Sequence, residues 1–175
     1  MKLWITLMLA LATASFADIK IAHVDSKMIF DKYLETSKAQ KDYDKQVKKW
    51  EEDAAGRQKE LMEMKDRLEK QSLMLSEEKK KDLEASFLKK KSEYEQFVQQ
   101  IYGKEGALYQ KNQEISEPIV QKIKKTIQDV ANQEGYDMVL DRAAGAVVFW
   151  KKDNDLTQRV IEILNKESPT AAAPK

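Results

Sequence analysis

From Tyr43 one column of positions advances by alternating steps of four and three residues, through Val47, Trp50, Ala54, Arg57, Leu61, Met64, Leu68 and Gln71 to Leu75. A second column with the same stepping begins at Leu83 and runs through Phe87, Lys90, Tyr94, Phe97, Ile101, Lys104, Leu108 and Lys111 to Ile115. That stepping keeps one stripe of a helix turned towards a partner helix. The two columns are equally long and share a centre near residue 79. Folding there sets Leu75 against Leu83, Leu61 against Phe97, Trp50 against Leu108 and Tyr43 against Ile115, the register of an antiparallel helical hairpin. The hairpin is predicted over 36–112 with its tip near 72–80, and an outgoing arm from Thr36 to Leu73 would be about 55 Å long.

A single continuous helix could dimerise through the same heptads, since neither Gly nor Pro lies near the centre. "SEEKKKDL" argues for the hairpin. Ser76 can accept from the free N–H groups of a new helix, while Glu77 and Glu78 sit where the macrodipole favours carboxylates. Leu75 then closes the seam, and Leu73 and Met74 fall in an exposed turn. The polar seam positions Arg57, Gln71, Lys90, Lys104 and Lys111 weaken the pairing without breaking it, because long basic side chains can lay their stems on the seam and keep their ends in water. Gly56 on the outgoing arm lies level with Gly103 and Gly106 on the return, where apolar contact is sparse and each glycine costs about 1 kcal/mol against Ala in a helix. A bending point is expected there.

Composition agrees with long helices: 35% of the 175 residues are charged, with only 5 Gly and 3 Pro. The opening "MKLWITLMLALATASFA" places Lys2 before an apolar run and ends with Ser15 and Ala17 at small-x-small spacing. It reads as a signal peptide over 1–17, removed after Ala17; as a membrane anchor the run falls short of the roughly 20 residues a bilayer requires. With no cysteine, stability must come from packing or partners. Loss of Lys2 takes the basic count from 31 to 30, against 30 acidic residues. No overall field attracts nucleic acid.

The segments flanking the arm read as one small body, 18–35 with 113–167. "DIKIAHVDS" alternates, with Ile19, Ile21 and His23 on one side and Ala22 and Val24 on the other, as a strand does. Asp25 or Ser26 can cap the short helix that follows. After Pro118, which marks a kink or restart, Ile119, Ile123, Ile127 and Val130 share a helix face that Gly135 ends. Met138–Leu140 and Ala146–Trp150 read as a hairpin of strands. Asp155 and Gln158 resemble a capping box before the apolar face of Leu156, Val160, Ile163 and Leu164. Residues 168–175 read as a disordered tail. So small a core, without disulfides, invites association through its sheet. The expected self-association residues are Ile19, Ile21, Val24, Met138, Leu140, Val147 and Phe149. The fold class is therefore α+β, a coiled-coil arm projecting from a small β-sheet body.

"IKIAHVDSKMIF" at the start, the charged hairpin, and "ANQEGYDMVLDRAAGAVVFWKKDNDLTQRVIEILN" at the end resemble the Skp/OmpH family of periplasmic chaperones over essentially the whole mature chain. The resemblance implies a homotrimer whose strands complete a common β-barrel, with three arms around a central cavity. It implies an ATP-independent holdase in the periplasm that keeps unfolded outer-membrane proteins from aggregating after translocation and passes them on. Family proposals of lipopolysaccharide or anionic-membrane contact would fall here on Lys79, Lys80, Lys81, Lys89, Lys90 and Lys91 near the tip, although the balanced charge of the chain works against them.

No catalytic pattern stands out. His23, the only histidine, lacks a second imidazole or thiol for a metal site. Acidic residues sit beside lysines at helical spacing, the pattern of surface pairs, and "GKEG" lacks the preceding strand of a phosphate loop. The reading is a non-enzyme without cofactor or metal. Candidate client-binding residues are Leu73 and Met74 in the turn, with Met62, Leu88, Val98, Tyr102 and Tyr109 outside the seam, where flexible Met and amphipathic Tyr tolerate many sequences. A second reading is a scaffold that docks one folded partner through the tip.

Overall fold

A computed structural model describes residues 18–71 and 74–169 of the chain; the expected signal peptide, Leu73 and most of the expected tail lie outside them. Strand β1 (Ile21–Val24) leads into helix α1 (Ser26–Lys32). Asp25 supplies the cap, its carboxylate accepting from the Met28 N–H at 2.8 Å. After a one-residue break at Tyr33, helix α2 (Leu34–Gln71) forms the outgoing arm. Its 38 residues span about 57 Å. Helices α3 (Glu77–Tyr102) and α4 (Ala107–Glu134) return along it, and strand β2 (Met138–Asp141) and helix α5 (Thr157–Glu167) complete the body.

Ser76 starts α3 as expected, with extended backbone and its side chain accepting from the Lys79 N–H. The seam is real: every described seam position is half-buried or buried except Gln71 and Lys104, which are exposed. The expected register needs correction. Phe97, expected against Leu61, lies instead under the Arg57 guanidinium at 4.5 Å, one turn nearer the body. Lys90, which the expected register sets against Leu68, pairs with Glu60 at 3.1 Å, two turns nearer. The chain turns just before Ser76, within the expected tip, and these two contacts lie nearer the body than a centre at 79 sets them, while Tyr43 and Ile115 line one small cavity as expected.

The return arm is interrupted and the outgoing arm is not. Gly103 closes α3, donating its N–H to the Gln99 carbonyl, and Gly106 precedes α4. Both have ordinary negative φ, so the need for glycine is one of close approach. A Cβ on Gly103 would lie 2.3 Å from the Gln99 carbonyl oxygen, and one on Gly106 would lie 2.6 Å from that of Ile101. Gly56, by contrast, sits inside unbroken α2 with nothing near its missing Cβ. The Gly103–Gly106 break therefore has no counterpart on the outgoing helix.

In the body, β1 and β2 pair in parallel, with Ile21 beside Met138 and Val24 beside Asp141. A parallel pair needs a long crossover, and here the crossover is the whole arm. The expected strand hairpin is not formed. Residues 146–150 have no strand assignment, and the other edge of β1 is taken by 151–156: the Leu156 N–H donates to the His23 carbonyl at 3.0 Å and the Asn154 amide to the Ile21 carbonyl at 2.9 Å. The turn after β2 is held by Asp141, which accepts from the Ala143 N–H at 3.0 Å and from the Ser26 hydroxyl at 2.6 Å.

Ala22, Val24, Ile29, Ile119, Ile123, Val130, Leu156, Val160 and Leu164 form the core between the sheet and helices α1, α4 and α5. Helix α4 continues unbroken through Pro118 rather than restarting there; Ile119 and Ile123, buried just beyond it, anchor the segment. Gly135 ends α4 in left-handed conformation (φ 70°). The capping box is only half made. Asp155 accepts from the Thr157 N–H at 2.9 Å, while Gln158 turns outward to Glu162. Ser168, expected to open the tail, is buried and donates its hydroxyl to the Glu35 carboxylate, so the ordered body extends at least that far.

Candidate functional site

Two surfaces are candidates, one along the arm and one on the body. On the arm, Met62 on α2 and Leu88, Tyr102 and Tyr109 on the returning helices are exposed outside the seam, Met62 to 66%. Val98 is half-buried. In the turn, Met74 is 87% exposed while Leu75 is half-buried, so adjacent apolar residues divide between solvent and seam. These side chains are spread along the hairpin and form no single pocket. A shallow groove along α2 includes Met62 with Ala55 and Lys59, edged by Glu63, Asp66 and Glu69.

The lysines near the tip do not act as one patch. Lys79, Lys81 and Lys89 are exposed, whereas Lys80 and Lys90 are half-buried. Lys90 is drawn across the seam to Glu60, and Lys91 lies 3.7 Å from Glu95 on its own helix. Of the six lysines expected as an acidic-lipid contact, Lys90 is the one whose seam position turns it inward.

On the body, the parallel register puts Ile21, His23, Met138 and Leu140 on one face of the sheet and Ala22, Val24, Val139 and Asp141 on the other. The second face meets the helices. Val24, grouped above with the self-association residues, is buried in the core, and the one-residue alternation explains why it cannot share the outer face of Ile21. Ile21, Met138 and Leu140 remain exposed, together with Ile19. Beyond the turn, Val147 is half-buried, Val148 is 93% exposed and Phe149 is 80% exposed. Val148 was not among the expected residues. Strand alternation turns it inward, and only the lack of a strand there leaves it out.

Beside β2, the inner face of the sheet opens into a cavity of about 660 Å³ lined by Val24, Phe30, Val120, Ile127 and Val139, with Lys27 and Lys124 also at its wall. Sequence reading missed it. Val120 points off the core stripe of α4, the one signal that could have suggested a second apolar face.

Below the outer face lies a polar cluster. Asp155 accepts from Arg142 at 2.9 Å and from Thr157, with His23 Nδ1 at 3.9 Å. Burial works to raise the Asp155 pKa, but the Thr157 bonds and the Arg142 guanidinium outweigh it and hold the carboxyl below its ordinary value. Asp141 is lowered likewise: burial opposes, while Ser26, the Ala143 N–H and Arg142 prevail. These carboxylates are held by structural partners. Among the described residues no group of three or more His, Cys, Asp or Glu could hold a metal, and no helix is long and apolar enough to cross a membrane.

A small mixed body bearing a long helical hairpin, with dispersed apolar side chains on the arm, defines the class by its architecture. The chain matches the family described as outer membrane protein (OmpH-like) over residues 20–164 and belongs to it. A solved structure from Caulobacter crescentus CB15, described as a candidate OmpH-like outer membrane chaperone, superposes with a TM-score of 0.76 at 15% identity, covering 87% of each chain. At that identity the likeness is one of fold. No curated protein matches the chain.

Proposed function

We propose that this protein is an ATP-independent holdase of the periplasm, reached by way of a signal peptide removed after Ala17. It binds unfolded outer-membrane protein precursors after translocation, prevents their aggregation and passes them on for assembly. The observation that carries this reading is the scatter of exposed apolar side chains, Met62, Met74, Leu88, Tyr102 and Tyr109, along an arm that extends beyond the body of an OmpH-like chain. Weak contacts distributed over tens of ångströms suit a client with no fixed shape.

Self-association completes the proposal. Three bodies join through their sheets into a common barrel, and the three arms enclose a cavity. The exposed Ile21, Met138, Leu140, Val148 and Phe149 support this, since apolar side chains gathered on one body mark an interaction surface. The test is light scattering of a urea-diluted porin. Suppression at stoichiometric chaperone is expected, and unaltered aggregation would overturn the proposal.

The exposure of Met74 favours one rival, a scaffold docking a single folded partner through the tip. In that case replacing Leu73, Met74 and Leu75 by Ser abolishes binding outright, and crosslinking in cells captures one folded protein. The holdase predicts a graded loss and a spread of outer-membrane proteins. The exposed Lys79, Lys81 and Lys89 would support contact with lipopolysaccharide or an anionic membrane only if vesicle co-sedimentation proves salt-sensitive.

A further inference from the structure

Residues 146–151 lack strand pairing, yet they are fastened from beneath. His23 is buried on β1, and its Nε2 lies 2.7 Å from the Lys151 carbonyl oxygen. A main-chain carbonyl only accepts, so Nε2 must carry the hydrogen. The same imidazole meets the Trp150 ring edge to face, with centroids 6.2 Å apart. Arg142, held by Asp155, lies 4.6 Å over the Trp150 ring. The charged groups beside the imidazole are thus Asp155 and Arg142, which are paired with each other. The next residues outward, Phe149 and Val148, are the most exposed large apolar residues of the body.

We propose that His23 is a positioning residue: its Nε2–H bond to Lys151 and its contact with Trp150 hold Val148 and Phe149 out as a docking strip for a second copy of the chain. This rests on the self-association reading above. The occupant follows from what each copy leaves open. The strip is rooted at His23, which lies on the same face of the sheet as the exposed Ile21, Met138 and Leu140, and the same chain carries an apolar cavity beside β2. Each copy can therefore give a strip and receive one, and head-to-tail contacts of that kind form a ring when the rotation between copies closes. The bond requires a donor at the Nε2 position and no charge, so the strip stays fastened whether the imidazole is neutral or protonated.

The test uses the mature chain with His23 replaced in turn by Ala, Asn and Gln. Gln can place an amide N–H where Nε2 stands, whereas Asn reaches only the Nδ1 position. Sedimentation equilibrium should show the Ala and Asn variants dissociating about tenfold more readily, a bond worth about 1.4 kcal/mol, with Gln restoring most of the loss and far-UV circular dichroism unchanged. Hydrogen exchange of 147–151 should accelerate in Ala and Asn and recover in Gln, at pH 6 as at pH 8. Equal behaviour of Gln and Ala, or exchange unaltered in all three, overturns the role of His23. A photo-reactive phenylalanine analogue at position 149 identifies the occupant. Crosslinks to a second copy near Val120 or Ile127 are expected, while crosslinks only to unfolded porin or anionic vesicles overturn the docking. Should the unaltered chain sediment as a monomer, the self-association reading fails, and exchange at 147–151 still decides whether His23 fastens the strip.

Discussion

Arg142 Nη2 donates to Asp155 Oδ2 at 2.9 Å, joining the end of β2 to the segment that leads into α5. Both side chains are largely withdrawn from solvent. Removing the guanidinium leaves a partly buried carboxylate without its partner, a change that costs about 1–3 kcal/mol. Arg142→Ala should lower the unfolding free energy by that amount, measured as a fall in the denaturant midpoint at unchanged m-value.

Acid should weaken the body through Asp141 and Asp155. Their pKa values are lowered in the folded chain, so their stabilisation is present above the unfolded carboxylate value of about 4 and disappears as pH falls through the still lower folded values. Thermal melts between pH 6 and pH 2 should show a declining midpoint at the acid end, and Asp155→Asn should flatten that decline.

The three arm glycines should separate into two classes. Alanine at Gly103 or Gly106 forces a Cβ into main-chain oxygens and should destabilise by about 1–3 kcal/mol, as overpacking does. Gly56→Ala, in open space on an unbroken helix, should stabilise by up to about 1 kcal/mol. Chemical denaturation of the three single variants checks the contrast; equal losses at all three would contradict it.

Leu164 is fully buried at the meeting of α5 with the core. Leu164→Ala should cost about 2–5 kcal/mol and, because the body is small, should unfold the sheet before the arm. Near-ultraviolet circular dichroism lost at lower temperature than helical signal would show this.

On the arm, Met62→Ser, Leu88→Ser and Tyr109→Ser should each reduce suppression of porin aggregation only slightly, with losses accumulating in the triple variant. None of these residues lies in the seam, so helicity should stay unchanged.

The seam was legible because burial recurs with helical period, and Ser76 marked the start of the return helix. The register was not legible. Sliding one heptad stripe against another still meets apolar side chains, so stripe symmetry alone left the cross-seam pairing open, whereas the cap residue marked where the return helix starts. In the body, alternation identified β1 and β2 but not their parallel pairing, which depends on where the chain re-enters after the arm. Strand pattern also failed at Ala146–Trp150: the segment was expected to pair with β2, whereas its end is tied to β1 through the contacts of His23 with Trp150 and Lys151. His23 shows no ligand pattern in the sequence, and its hold on Lys151, 128 residues away, carries no local signature.

The parallel pairing also sets an order of events. Lys20, just before β1, bonds Asp137, 117 residues further on, and the second edge of β1 waits for a still later segment. Contacts between such distant parts form slowly, whereas a helical hairpin needs only its own residues. A chain emerging amino-end first can wind its arm while its first strand is still solitary, and that strand stays open to any other exposed edge until the carboxyl end arrives.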